Sequence, residues 1–255
     1  MANDTCDKAT RINLTAGHID MPVTTVGAVA NLAAPCATGP SADVFFTFTL
    51  TQRELVYADT FGAGWNTTLF FASSCTKAIT TSTTAGDVLC SDDACTSTQS
   101  QVVALLAQGT YYLVVGGGEG TGTLHVEHVP VGGNAPVAQL AKGASTPTGT
   151  TSTQCSVCAC EASGGESAFW WKTCPADATG ALTVSTCNGA TFDTVLSLQI
   201  PQISADPTCN GDDETCAPRS TLTGTIPAGA GLFVVGVLGD LANDHGPFTL
   251  TSNRP

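Results

Sequence analysis

With 21 acidic against 8 basic residues in a chain of 255, the formal net charge is −13, and such a surface repels nucleic acid and anionic membrane, so both are poor partners unless a cation mediates. Thr, Gly, Ala, Ser and Val dominate while Lys, Glu, Gln and Met are scarce, a balance that favours strands and turns over helices. Twelve cysteines point to disulfides formed in an oxidising compartment rather than the cytosol, and no apolar run reaches the length of a membrane span.

The opening Met1-Ala-Asn-Asp-Thr-Cys6 lacks the apolar stretch of a signal peptide, so for an exported chain the expectation is that a leader has been removed. Strand-like alternation then recurs over residues 43–50, 54–60, 68–71, 101–106, 111–115 and 123–129. Turn clusters separate these runs: Ala37-Thr-Gly-Pro40, Phe61-Gly-Ala-Gly64 and Gly116-Gly-Gly-Glu-Gly-Thr-Gly122. Pro130-Val-Gly-Gly-Asn-Ala-Pro136 ends the first series and marks a domain boundary, giving domains 1–130 and 131–255. Pro136-Val-Ala-Gln-Leu-Ala-Lys142 reads as one helical turn or two, and the Thr- and Ser-rich residues 143–154 read as a loop or lengthened linker. Strands resume over 168–173, 181–186, 194–199, 220–225, 232–237 and 248–251. Short strands at regular spacing with Gly-rich turns predict an all-β chain of two tandem antiparallel β-sandwich, jelly-roll-like domains.

The two halves echo each other. Leu55-Val-Tyr-Ala-Asp-Thr-Phe-Gly-Ala-Gly-Trp-Asn-Thr-Thr-Leu-Phe-Phe71 answers the run from Ala181 to Leu198, and Cys90-Ser-Asp-Asp-Ala-Cys95 answers Cys209-Asn-Gly-Asp-Asp-Glu-Thr-Cys216. Gln108-Gly-Thr-Tyr-Tyr-Leu-Val-Val-Gly116 answers Ala228-Gly-Ala-Gly-Leu-Phe-Val-Val-Gly236. Matched blocks in one order are the mark of a tandem duplication.

The set formed by Cys6, Cys36, Asp43-Val-Phe-Phe-Thr-Phe48, Thr191-Phe-Asp-Thr-Val-Leu196, the Cys-x-Asp-Asp brackets and Gly109-Thr-Tyr-Tyr-Leu-Val-Val-Gly116 resembles the bacterial pre-peptidase C-terminal domain. Such domains are relatives of the collagen-binding domains of secreted collagenases. The likeness departs where the first copy has Asn66 against Asp193, and where the second has Gly231-Leu232 against Tyr111-Tyr112. It implies a non-catalytic sandwich attached to secreted enzymes or surface proteins, in some cases binding calcium or an extracellular polymer. Whole-protein function does not follow from it.

Groups able to converge on chemistry are few. In His125-Val-Glu-His128 a strand places His125 and Glu127 on one face and His128 on the other, which cannot mimic the helical zinc-protease pair and reads as a solvated strand edge. No Gly-x-Ser-x-Gly elbow occurs, and the 116–122 run precedes a strand rather than a helix, so it is a hairpin turn and not a phosphate loop. Asp92, Asp93, Asp212 and Asp213 crowd carboxylates between cysteines, with Asn66 or Asp193 as extra ligands if folding brings them near. A hard cation such as calcium relieves that repulsion, and an exposed turn capped by Asp side chains satisfies the same pattern. Trp170 and Trp171 must point to opposite faces of one strand, and Trp65 sits beside a Gly turn; these three are candidates for stacking on a ligand ring, or they fill the core. Asn3, Asn13 and Asn66 head N-x-Thr sequons, relevant only to a eukaryotic secretory source.

The expected protein is secreted or displayed at the cell surface and has no enzymatic activity of its own. It binds an extracellular polymer, glycan or fibrous protein, with calcium ordering its acidic loops; the alternative is a structural spacer packed against neighbouring subunits of a surface filament. The only CxxC lies in Cys155-Ser-Val-Cys158-Ala-Cys160, with no second pair at zinc-ribbon or zinc-finger distance, so disulfides are expected in place of zinc. Cys6, Cys36, Cys75, Cys90 and Cys95 fall in the first half; Cys155, Cys158, Cys160, Cys174, Cys187, Cys209 and Cys216 fall in the second. Both counts are odd, which predicts one bridge across the boundary. Non-reducing peptide mapping is expected to recover a peptide pair joining the halves, and a map with every bridge inside one half would refute it.

Overall fold

The computed structural model describes residues 3–39, 41–82, 84–151, 153, 155 and 157–255. Pro40 of the first turn cluster and Ser152 and Gln154 of the 143–154 stretch lie outside the described residues. The chain divides into two compact units, Met1–His128 and Val129–Pro255.

The first series of strands is β1 (Thr10–Arg11), β2 (His18–Thr24), β3 (Val44–Leu50), β4 (Glu54–Asp59), β5 (Thr67–Ser74), β6 (Lys77–Ala78), β7 (Cys90–Ser91), β8 (Gln101–Leu106), β9 (Gly109–Gly117) and β10 (Thr121–Pro130). One sheet has the order β1-β3-β9-β5-β6, with β7 also on β5; the other has β2-β10-β4-β8. Alternation along β3 explains the layering. Val44, Phe46 and Phe48 turn inward with Leu69, Phe71, Leu113 and Val115, meeting Val56, Ala58, Val102, Leu124 and Val126 from the second sheet. Each large side chain so buried contributes about 1.5–3 kcal/mol.

The reverse face of β3-β9-β5 is covered too. Phe45, Phe70 and Val114 pack beneath Leu32, Ala34 and Ala37. That covering segment is held by the buried Asp43, whose carboxylate accepts the Leu32 N–H at 2.7 Å and the Asn31 N–H at 3.2 Å. Burial still pushes the Asp43 carboxyl up, against the pull of those donors. Cys6–Cys75 and Cys36–Cys90 staple the same region.

The second series is β11 (Val137–Gln139), β12 (Gly143–Ser145), β13 (Thr148–Thr150), β14 (Glu166–Thr173), β15 (Gly180–Ser185), β16 (Thr194–Gln199), β17 (Thr208–Asn210), β18 (Thr221–Ile226), β19 (Gly231–Gly239), β20 (Pro247–Thr249) and β21 (Thr251–Arg254). Its sheets, β11-β14-β19-β16-β17 and β12-β21-β15-β18, repeat the order of the first unit, with β13-β20 as a small addition. Even the parallel edge pair recurs, β1 on β3 and β11 on β14. Phe169, Trp171, Leu196, Leu198, Phe233, Val235 and Leu250 fill the second core, where Trp171 stacks on Phe233 at 5.2 Å.

Two local expectations are corrected. Residues 137–139 form a strand and not a helical turn, because parallel pairing with β14 satisfies their backbone and delivers Leu140 fully buried into the core. Residues 143–145 and 148–150 are strands instead of loop, paired with β21 and β20.

All twelve cysteines are oxidised. Cys36–Cys90 and Cys160–Cys209 are counterparts, since Cys90 lies opposite Phe70 on β5 and Cys209 opposite Ser197 on β16. Cys155–Cys158 and Cys187–Cys216 lie in the second unit, and Cys95 and Cys174 are also disulfide-bonded.

Each unit is knotted at one end by three buried hydroxyls. In the first, Thr60 Oγ1 meets Thr67 Oγ1 at 2.6 Å, and the Ser100 N–H donates to both at 3.1 Å. Ser100 Oγ in turn shares its one proton between the carbonyls of Thr67 at 2.5 Å and Asp92 at 3.0 Å. In the second, Thr186 and Thr194 meet at 2.6 Å, the Ser220 N–H donates to Thr186, and Ser220 Oγ shares its one proton between the carbonyls of Thr194 and Gly211. Thr60, Thr67, Ser100, Thr186, Thr194 and Ser220 are all buried. Removing one hydroxyl orphans its partners, so Thr67→Val and Thr194→Val are each expected to cost about 1–3 kcal/mol by denaturant unfolding. Thr183→Val, at an exposed position on β15, is expected to change little.

Candidate functional site

The hydroxyl knots fix the loops on which the acidic residues stand. Superposing the knots aligns Thr67 with Thr194 and therefore Asn66 with Asp193. The backbone bonds Ala94 N–H to Gln99 O and Asp213 N–H to Arg219 O, both 2.8 Å, align Asp93 with Asp212. Gly118 N–H donates to Asn66 O, as Asp240 N–H does to Asp193 O, which aligns Gly118 with Asp240. Three matched positions thus hold Asn66, Asp93 and Gly118 in the first unit, and Asp193, Asp212 and Asp240 in the second. The carboxylates gather in only one of them.

Around Asp193 the charge is dense. Burial, with Asp240, Asp212 and Asp244 nearby, pushes its carboxyl up to about 6. The loop carrying Asp240 and Asp244 folds sharply back: Leu241 N–H donates to Asp244 Oδ2 at 3.1 Å, and a Cβ on Gly239 would lie 1.6 Å from the Asp244 carbonyl oxygen, so only glycine fits there.

The four expected metal ligands separate. Asp212 belongs to this cluster. Asp213 caps a turn, accepting the Thr215 N–H at 2.8 Å and its hydroxyl at 2.5 Å, which holds its carboxyl below the usual range. Asp92 serves the knot through its carbonyl, and Asp93 is exposed on the adjacent turn. Neither acidic bracket is closed on itself: Cys90 pairs with Cys36, Cys209 with Cys160 and Cys216 with Cys187.

The tryptophans take core positions. Trp170 and Trp171 are 0 % exposed and Trp65 is 9 % exposed, so none presents a ring face for stacking on a ligand. Trp171 lies in the core under the Arg254 guanidinium, 5.4 Å from the ring centre. Trp65 packs across the 116–122 hairpin, where a Cβ on Gly120 would meet its ring at 2.4 Å; the glycine run there makes room for an indole.

A cleft of about 400 Å³ in the second unit is lined by Lys142, Lys172, Thr173, Asp177 and Arg254. It holds three of the chain's eight basic residues. Burial lowers the Lys172 ammonium. By register, Lys172 pairs opposite Leu232 at one end of β19, while Asp240 follows the other end.

His125 and His128 are not on a solvated edge, because β10 lies between β2 and β4. His125 stands opposite Asp20, and Glu127 opposite His18. Asp20 Oδ1 lies 2.6 Å from His125 Nδ1 and 3.0 Å from His18 Nε2, and Glu127 Oε1 lies 3.2 Å from His18 Nδ1. The Glu127 contact raises the His18 imidazole above its ordinary value, with Asp20 adding to it. His128 instead meets Glu54 at 2.6 Å. Spacing within 125–128 could not reveal the pairing, because His18 and Asp20 lie more than a hundred residues away in sequence.

No known family model matches the chain, and no curated protein is similar to it in sequence. Solved structures similar to it include the CUB1-EGF-CUB2 domains of rat MASP-1, at 8% identity over 96% of this chain and 99% of that one, TM-score 0.23. The CBM22-1-CBM22-2 tandem domain of Paenibacillus barcinonensis Xyn10C matches at 10% identity over 94% of each chain, TM-score 0.22. A chain of the Sulfolobus turreted icosahedral virus matches at 11% identity over 94% of this chain and 59% of that one, TM-score 0.25. Likeness this low assigns no family; the strands and bridges themselves show two β-sandwich domains, each with disulfides inside it.

Proposed function

We propose that the protein is a non-catalytic extracellular binding module of the pre-peptidase C-terminal type, in which calcium orders the acidic loops of the second unit and an extracellular polymer is the ligand. One observation carries this reading: burial, with Asp240, Asp212 and Asp244 nearby, pushes the Asp193 carboxyl up to about 6, and since no three of these carboxylates lie within 4.8 Å of one another among the described residues, calcium would draw the loops together. Like charges assembled at that density are stabilised by a hard cation with oxygen ligands. Asp193, Asp212 and Asp240 are the residues that would hold it. The basic cleft at Lys142, Lys172 and Arg254 lies at the opposite end of β19 and suits an anionic group on a glycan or fibrous protein. The spacer reading draws support from the complete oxidation of the cysteines, which stiffens each unit. Arrays of acidic glycans and matrix proteins separate the two, since a spacer retains none of them.

The sign of the pH effect follows from the direction of the shift. Asp193 binds its proton more tightly folded than unfolded, so its contribution favours the native state below about pH 4 and is lost as pH rises toward 6. Asp193→Asn is therefore expected to stabilise the calcium-free protein at pH 7.5, by about 1 kcal/mol after discounting for solvent screening. The same change is expected to abolish any rise in melting temperature on adding calcium. Wild-type protein that melts identically in calcium and in chelator would remove the metal from this account.

A further inference from the structure

We propose that His18, Asp20 and His125 form a binding site for one divalent transition-metal ion, of the zinc or copper class, separate from the acidic loops. Among the described residues two groups of His, Cys, Asp or Glu bring their ligand atoms within 4.8 Å of one another. The other, Cys187, Asp213 and Cys216, is spent, because its two sulfurs are bonded to each other. This one is chemically open.

The argument is one of donors and acceptors. Both nitrogens of His18 face carboxylates, Nδ1 toward Glu127 and Nε2 toward Asp20. The imidazolium donates to both, but a metal takes only the neutral ring, which carries a single N–H, so in that form only one of those contacts is a hydrogen bond. Glu127 is 1 % exposed, whereas the Asp20 side chain is 58 % exposed and stands beside a second histidine. Assigning the proton to Nδ1, toward the buried Glu127, leaves the Nε2 lone pair pointing at an anionic oxygen. A cation between them turns that repulsion into coordination, and His125 Nδ1, 2.6 Å from the same oxygen, completes a set of two nitrogens and one oxygen. The buried carboxylate behind His18 is the arrangement that fixes tautomer and ring orientation in metal-binding histidines.

Ligand type selects the metal. Calcium takes six to eight oxygens, whereas two imidazoles and a carboxylate suit zinc or copper. Bonds of about 2.0–2.1 Å place ligand atoms a little over 3 Å apart, so the present spacing needs only a slight opening. Rigid support comes from adjacent strands in register, Asp20 opposite His125 and His18 opposite Glu127. Both rings are about 30 % exposed and lie stacked at 6.1 Å, leaving a path for the ion and room for water on it.

The test is isothermal titration of tag-free protein with zinc chloride at pH 7.4 in a non-chelating buffer, with calcium chloride as comparison. One equivalent of zinc is expected to bind. His18→Ala and His125→Ala are each expected to lose at least a hundredfold in affinity, and Glu127→Gln about tenfold. His245→Ala and Asp193→Asn are expected to retain it. Should the alanine variants fail to fold, imidazole proton spectra of the wild type decide: zinc is expected to shift or broaden the His18 and His125 resonances. Absence of zinc binding below about 1 mM, undiminished binding in the His18→Ala/His125→Ala double variant, or shifts confined to His128 or His245 would overturn the proposal.

Discussion

Everything that distinguishes one end of each sandwich depends on three buried hydroxyls. Thr60, Thr67 and Ser100, and their counterparts Thr186, Thr194 and Ser220, exchange hydrogen bonds where an apolar core would leave loop carbonyls without donors. A serine hydroxyl that donates to the carbonyl of Asp92 or Gly211 anchors a polar loop on the sheet without burying its carboxylates. Because the group is fully engaged, it specifies one loop geometry in place of several. That geometry survived duplication while the residues displayed on it changed.

Divergence between the units is therefore electrostatic more than architectural. The strand orders coincide, the parallel edge pair recurs, and the disulfides Cys36–Cys90 and Cys160–Cys209 hold equivalent strands. On this common frame Asn66 and Gly118 correspond to Asp193 and Asp240, and Phe61 occupies the place of Cys187. The second unit concentrates negative charge where the first has an amide and a glycine. The first unit instead brings His18 and His125 together with Asp20 and Glu127 on the sheet that holds β2 and β10.

Much of this was legible from residues alone. Alternation in 43–50 and 168–173 marks strands because one face of a sheet must be apolar, and the glycines of 116–122 mark a hairpin because chain reversal there passes under an indole. Residues 137–139 misled, since a short apolar run has the same composition in an edge strand as in a helical turn, and only its parallel pairing with β14 decides. The carboxylates misled in another way. Adjacency pointed to Asp92–Asp93 and Asp212–Asp213, but charge accumulates where separate loops meet, and so of these only Asp212 joined Asp193, Asp240 and Asp244.

The amino-acid sequence by itself determined the central strands of both units, their echo, the disulfide-rich character and the acidic balance, because periodicity, composition and cysteine content are local or additive properties; it did not mark β2 or β11 to β13. Only the tertiary structure decided which side chains face one another. Trp170 and Trp171 became core instead of binding surface, Asp213 became a turn cap, and His18 came to stand beside His125 across a strand pair more than a hundred residues apart. Register and loop closure set those meetings, and neither is a property of any stretch of chain read on its own.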